Sequence, residues 1–558
     1  MQKCTRSDSL EIMYKDVVII GNGPSGICLS YMLAGNWPYY TGEPHPTDDM
    51  LTARLRFCYG IGKERGGDAP DGDATNTDLT ANKQHQCGKT RESGLAHGTR
   101  YKLECLSAGI EGRGSVRPIS LLMDQLQHPS VDAGLDVPSL LKWWPAEGDP
   151  EHRVIDHVVL GKGQPGGSWQ YMDPDVLTLS LSRWMSLPDL DLRDWEKLVQ
   201  AEQLERSTSA ADKDAQQETL SVHKTSSRVP VGTVAAYYKD YVHRKNLTQY
   251  FRCGTTVTSI ESRDCKKGYN WVVYVKNDNG DRFQYRCKKV VLATGTTDLS
   301  NRLGVLGEDS NSDWVIHNLK DLETKLLDLI NEQGEESSDE ATPPVLVVGA
   351  GLSAADAIIA ARCRNIRVLH AFRSSPLDWD KARAERVTTS YDRLQSLPDS
   401  VYPEYHKVYE MMADGGINYP LYQSLPGYKL VSFNRNDGDR NSVGTVVLSD
   451  PHGVLHVFQV SLAVILIGYK PELSFLKNNG VGLGCDEDKP IDGKSNPIKV
   501  DNYTYEVVKA PAKGLYAIGP LVGDNFVRFI LGGAFVIFFN ILNTLQRSDS
   551  HSHKPIVS

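Results

Sequence analysis

The residues best suited to chemistry lie in two glycine-rich turns. The first is Gly21-Asn22-Gly23-Pro24-Ser25-Gly26, fed by the apolar run Val17-Val18-Ile19-Ile20. The second is Gly349-Ala350-Gly351-Leu352-Ser353-Ala354, fed by Val345-Leu346-Val347-Val348. An apolar strand leading into G-x-G-x-x-[G/A] and a small-residue helix start can hold a pyrophosphate. The first glycine permits a tight turn, the second lets phosphate oxygens touch the backbone, and the third lets the helix pack on the strand. Gly21, Gly23 and Gly26 fill those places in the first turn, with Pro24 and Ser25 between them. Gly349, Gly351 and Ala354 fill them in the second, with Ser353 inside. One such turn is a weak signal, because ordinary strand–helix turns share it. Two in one chain point to two redox dinucleotides, a flavin and a nicotinamide.

Further residues refine that reading. The N-terminal position and the Gly-Pro-Ser-Gly content assign the first turn to FAD. In Gly166-Gly167-Ser168-Trp169, Gly167 lets the backbone pass close to a flavin and Trp169 can pack beside its ring; the alternative is a turn before a core tryptophan. Thr294 and Gly295, in Ala293-Thr294-Gly295, end a strand where the chain crosses between nucleotide units, or form a plain strand-end turn. Asp524, near Gly519-Pro520, can offer a carboxylate to the ribityl chain, or cap a helix. Arg373 lies about 20 residues after Gly351, where an NAD site would carry an acid; its guanidinium suits a 2′-phosphate and favours NADPH. The alternative is a solvated arginine. His317 reads as a structural surface residue and Tyr402 to His406 as a packed loop. No Ser/His/Asp order or paired carboxylates stand out for hydrolysis, so no catalytic acid or base is assigned.

Composition bounds the rest. The 558 residues carry 61 Lys and Arg against 70 Asp and Glu, a formal charge of −9. Such a chain has no general attraction to nucleic acid or anionic membrane. Its 10 cysteines include no C-x-x-C and no metal-like spacing, so neither zinc nor a disulfide framework is expected. That usage points to a reducing, cytoplasmic compartment. The polar stretch Met1 to Lys15 has no apolar signal core. Phe526 to Leu542 is the most hydrophobic segment; interrupted by Arg528, it falls short of the roughly 18 apolar residues of a span and reads as a buried helix.

The expected organisation is an α/β protein with two Rossmann-like domains, the second inserted in the first. Residues 1–54 begin the FAD domain. Residues 55–103 are polar, lack apolar periodicity and read as a disordered insertion. Residues 104–330 continue the FAD-domain core, 331–344 form an acidic linker, and 345–470 form the NADPH domain. Residues 471–543 return to the FAD domain and 544–558 form a flexible tail.

Together Gly21 to Gly26, Gly166 to Trp169, Ala293 to Gly295 and Gly349 with Gly351, Ser353 and Asp356 resemble the single-component flavin monooxygenases with two dinucleotide sites. Longer strings, among them Tyr39 to Pro46, His157 to Gly161, Tyr402 to Lys407 and Gly523 to Phe529, resemble the oxidative-stress-induced growth inhibitor family. The resemblance implies an FAD- and NADPH-dependent monooxygenase. Hydride would pass from NADPH to FAD, and a C4a-peroxyflavin would give one oxygen atom to a nitrogen, sulfur or carbonyl acceptor. It also implies links to growth restraint, cell death and cytokinesis, regulatory protein partners, and a place at the midbody. The chain departs from the wider class at Gly161, where that class carries a ribose-binding acid. It departs again at Asn311 and Asp313, in the F-x-G-x-x-x-H motif that would end in His317, and at Pro520. These departures motivate a second reading, a regulatory protein that keeps the nucleotide sites with little turnover.

Overall fold

A computed structural model describes residues 11–59, 100–110, 116–129, 134, 137–148, 152–206, 227–263, 268–310, 313–333, 343–373, 390–434 and 443–552. The elements that frame the glycine turns are, in chain order, β1 (Glu11–Ile20), α1 (Pro24–Leu33), β2 (His157–Leu160), β3 (Arg282–Leu292), β4 (Val345–Val348), α2 (Leu352–Cys363), β5 (Val368–Phe372), β6 (Leu462–Ile465), β7 (Leu515–Ala517) and α3 (Ile530–Ser552). The chain divides into two units. One holds residues 1–170, 177–295 and 473–558; the other holds 171–176 and 296–472.

In the first unit, Val17, Val18 and Ile19 are wholly buried. A continuous apolar run is what a parallel strand covered on both faces requires. β1 pairs in parallel with β2 through Val17–Ile20 and His157–Leu160, and with β3 through Val17–Ile20 and Lys289–Leu292. β7 pairs in parallel with the last three residues of β3. Four carboxyl ends therefore share one edge, where open α/β sheets place their ligands. Strands Thr255–Ser262 and Trp271–Asn277 extend the sheet as an antiparallel meander on β3.

Two helices close the core of this unit. α1 is buried from Ser25 to Leu33. In α3, Phe535, Val536, Ile537, Phe538 and Ile541 have no exposed surface. The stretch Val527–Leu545 is long and apolar enough to cross a membrane, yet two-thirds of its most apolar window is buried in the unit, as expected of a core helix. A side chain at Gly532 would come within 2.4 Å of Ser120 Cα, so this glycine lets α3 touch the helix Pro118–Gln127. Arg528 anchors the same contact, donating from Nε and Nη2 to the Asp124 carboxylate.

The second unit has a five-stranded parallel sheet in the order Val315–Ile316, β6, β4, β5 and Tyr422–Pro426. A three-stranded antiparallel sheet, Lys429–Asn434, Gly444–Ser449 and Leu455–Val460, completes it.

Several sequence expectations need correction. The second unit begins at Thr296 rather than 345, because Val315–Ile316 pairs with β6. Residues 55–59 and 100–103 are helical, in Asp49–Tyr59 and Arg100–Ser107; the rest of the 55–103 segment lies outside the described residues. Of the 331–344 linker, residues 334–342 lie outside them too. α3 continues to Ser552, through most of the stretch read as a tail. Tyr402 to His406 forms the start of a helix, Pro403–Ala413, whose Tyr405 hydroxyl donates to Asp356 at 2.9 Å.

Burial holds two histidines neutral. His157 in β2 and His370 in β5 are each pushed down to about 4 from 6.5. A depressed imidazole stabilises the fold above pH 6.5, and that contribution is lost as pH falls towards 4. We expect each histidine to cost about 3 kcal/mol of stability over that interval. Urea unfolding of His370→Gln should show a shallower loss between pH 6.5 and 4 than the parent; an identical slope would contradict the assignment.

Candidate functional site

The first glycine turn is built around a steric demand. Gly21 has φ +112°, and a Cβ there would lie 2.3 Å from the Ala293 carbonyl oxygen at the end of β3. A Cβ on Gly26 would lie 2.1 Å from the Gly21 carbonyl oxygen, so α1 can begin only on a bare backbone. Gly23 differs. A Cβ there would meet only the Gly166 carbonyl oxygen, at 3.9 Å. Gly23 is also the N-cap of α1, which has no side-chain cap and no acid in its first turn. The first N–H groups of α1 thus have no side-chain cap, which leaves a helix start suited to an anion.

The other predicted residues gather around that space. Gly167, at φ +60°, places its hypothetical Cβ 3.0 Å from Gly23 Cα. Trp169 sits in a short 3₁₀ turn, Gly167–Gln170, with its ring edge-on to Tyr238 at 5.9 Å. Gln170 pins this turn by donating to the Pro165 and Ala235 carbonyls. Thr294 follows Ala293, and its hydroxyl is buried with no hydrogen-bond partner among the described residues. Gly295 (φ +73°) has open space where a side chain would be. Ser25 is buried beside Gly519, whose Cβ would fall 2.5 Å from the Ser25 hydroxyl. Pro24 opens α1, where a missing N–H costs nothing. An open cradle and an orphaned hydroxyl both fit a dinucleotide with a pyrophosphate and further polar groups.

Two positions depart from expectation. Asp524 does not face the cradle. It has no exposed surface and accepts from Arg117 Nη1 at 3.0 Å and from the Tyr505 hydroxyl at 2.7 Å. Burial pushes its carboxyl up, against the pull of Arg117 and Tyr505. It is a buried strut between the loop after β7 and the start of helix Pro118–Gln127. At Gly161 the space for a side chain is already taken: a Cβ there would lie 2.1 Å from the Asn22 side chain, whose amide donates to the Gly163 carbonyl at 2.7 Å. A side chain at 161 would therefore require Asn22 to move and give up that hydrogen bond.

The second turn repeats the first. Gly349 has φ +129°, and its Cβ would lie 2.2 Å from the Leu466 carbonyl oxygen just past β6. Gly351 is the N-cap of α2, again without a side-chain cap or an acid in the first turn. Ser353 lies in that turn, half-buried, and Ala354 is fully buried. His370 steadies the turn from the neighbouring strand. Its Nε2–H donates to the Gly349 carbonyl at 2.5 Å, and its Nδ1 accepts from the Tyr422 hydroxyl at 2.8 Å. The carbonyl can only accept, which fixes the tautomer. Arg373 is exposed at the carboxyl end of β5 and has no hydrogen bond or ion pair among the described residues. Sequence reasoning missed Arg393, whose Nη1 lies 3.5 Å from the Cβ position of Gly351. It sits 42 positions from Gly351, in a separate short helix, Ser390–Gln395, so no local pattern announces it.

His317 is buried rather than on the surface. Its Nε2 pairs with Glu308 at 2.9 Å, and Arg302 Nη1 lies 2.8 Å from the ring nitrogens. Burial raises the Glu308 carboxyl, but His317 and the backbone N–H groups of Leu303 and Gly304 hold it below the usual range. The cluster ties Arg302, Leu303 and Gly304 to Glu308 and His317 within the second unit. Of the degenerate motif before it, Asn311 lies outside the described residues. No His, Cys, Asp or Glu cluster among the described residues could hold a metal.

Comparison with known proteins agrees with this architecture. Residues 209–526 match the family model described as pyridine nucleotide-disulphide oxidoreductase. The chain is 36% identical over 550 residues to oxidative stress-induced growth inhibitor 1 of Mus musculus, covering 95% of this chain and 96% of the relative. It is 35% identical over 550 residues to oxidative stress-induced growth inhibitor 2 of Homo sapiens, covering 93% and 91%. Among solved structures, a bacillithiol disulfide reductase from Bacillus cereus shares the fold. Its TM-score is 0.50 and its identity 14%, over 95% of this chain and 100% of that one.

The two first-turn glycines are separable. Gly21→Ala meets backbone at 2.3 Å and should destabilise the protein by about 1–3 kcal/mol or more. Gly23→Ala should match the flavin-free parent in thermal midpoint and lose FAD on gel filtration, because its methyl fills only the cradle. Full flavin content in a folded Gly23→Ala protein would refute the site.

Proposed function

Because the chain belongs to the oxidative stress-induced growth inhibitor family and carries the pyridine nucleotide-disulphide oxidoreductase domain, whose members use FAD and NAD(P)H, we propose that it is an NADPH-dependent flavin monooxygenase. FAD belongs to the first turn and NADPH to the second. When bound, the pair supplies hydride transfer and then activates oxygen, one atom of which goes to a nitrogen, sulfur or carbonyl acceptor.

The residues of this chain do the holding. Gly23 and the start of α1 take the FAD pyrophosphate, Gly167 and Trp169 border the flavin, and the Thr294 hydroxyl finds a partner on it. Gly351, Ser353 and the start of α2 take the nicotinamide dinucleotide's pyrophosphate. Arg373, exposed at the end of β5 with no hydrogen bond or ion pair among the described residues, supports NADPH over NADH. The buried Cys28 favours oxygen transfer over disulfide reduction. It is the sole cysteine in α1, has no exposed surface, and burial pushes its thiol well up. A thiol in that state is a poor nucleophile. The relatives' names, oxidative stress-induced growth inhibitors, support a role in restraining growth.

Asn22 in the place of a side chain at 161 favours a second reading, in which the sites serve regulation with little turnover.

Isotopic oxygen separates these readings. With NADPH and a panel of amines, sulfides and ketones under ¹⁸O₂, one labelled atom should enter a product. NADPH-driven disulfide reduction without oxygen would contradict oxygen transfer, and flavin that NADPH never reduces would favour the regulatory reading. Arg373→Ala should raise KM for NADPH by roughly 1–3 kcal/mol of lost charge-assisted bonding and leave KM for NADH nearly unchanged. Equal effects would remove Arg373 from the 2′-phosphate.

A further inference from the structure

Two helices that follow the first glycine turn, Asp49–Tyr59 and Arg100–Ser107, lie against each other in the first unit. Arg54 links them: its guanidinium donates to the Leu106 carbonyl in the last turn of the second helix and to the Ala108 carbonyl just past it. Cys58 lies four residues after Arg54, on the same helical face. Lys102 and Cys105 lie three apart and share the opposing face. The thiols of Cys58 and Cys105 meet in a hydrogen bond, and the Lys102 ammonium acts on Cys58. Both thiols are free and both residues are half-buried, so a small solute can reach them.

We propose that Cys58 and Cys105 form a redox-reactive thiol pair, oxidised by hydroperoxides to a disulfide that joins the two helices. The reaction needs neither dinucleotide and stands apart from the oxygenase reading. One thiolate attacks a peroxide oxygen; the O–O bond breaks, hydroxide leaves, and a sulfenic acid forms. The second thiolate attacks that sulfur; the S–S bond forms, the S–O bond breaks, and hydroxide leaves again. The two thiol protons end in water. The pair loses two electrons and hydrogen peroxide gains them. Lys102 favours the thiolate at the moment of attack. Burial and the neighbouring Cys105 push the Cys58 thiol up, and Lys102 opposes them.

The test uses the full chain, reduced and then treated with hydrogen peroxide, followed by alkylation and non-reducing peptide mapping. The expected product is a linked peptide pair containing Cys58 and Cys105, with the loss of two titratable thiols per chain. Cys58→Ser and Cys105→Ser should each abolish the link, and the surviving cysteine should be trapped as a sulfenic acid by dimedone. Circular dichroism of the serine variants confirms that they fold. Full alkylation of both cysteines after peroxide would overturn the proposal. So would linkage of either one to Cys87 or to a second chain.

Discussion

Both dinucleotide turns depend on one contact: a carbonyl oxygen occupying the place where a side chain would begin. Ala293 supplies it to Gly21 and Leu466 supplies it to Gly349, at 2.3 and 2.2 Å from the hypothetical Cβ. In each case the carbonyl comes from the residue that leaves a neighbouring parallel strand, β3 or β6. The turn can tighten only because the next strand's exit presses against it. The strand ends, the helix start and the crossing loop are therefore positioned together, and the open space at Gly23 or beside Gly351 is what remains. Positive φ at both glycines makes substitution costly apart from the overlap.

The two turns are braced differently behind this shared contact. In the second, the neutral imidazole of His370 holds the Gly349 carbonyl from β5. In the first, Ser25 lies beside Gly519 in the loop after β7, and Asp524, Arg117 and Tyr505 tie that loop to the helix Pro118–Gln127. Asp524 is wholly buried, so its ion pair serves to hold a shape. Removing one partner would leave an uncompensated charge, which typically costs about 3–5 kcal/mol.

What could be read from the chain follows from which interactions are local. The glycine turns, α1, β1, β4 and the hairpin at Trp271 are written in contiguous residues, because a buried parallel strand and a bare helix start each need a particular short string. Gly167, Trp169, Thr294 and Gly295 also fell where strand ends had to meet. Asp524 was misjudged because its partner, Arg117, is some 400 residues away and nothing near either residue signals the pair. Arg393 was missed for the same reason. His317 read as a surface residue because Glu308 and Arg302 are too far along the chain to suggest a clamp. The start of the second unit was placed too late because Val315–Ile316 is a two-residue strand, too short to show a period. Asn22 was visible in the sequence, but its filling of the space at Gly161 is a three-dimensional fact.

The proposed function requires that this chain hold FAD in the first cradle and that NADPH reduce it. An anaerobic titration of the purified protein tests it directly, with the visible absorbance of the oxidised flavin followed as NADPH is added. The expected result is one bound flavin per chain, bleached by one equivalent of NADPH. A protein that purifies without flavin, or whose flavin keeps its absorbance in excess NADPH, would contradict the claim.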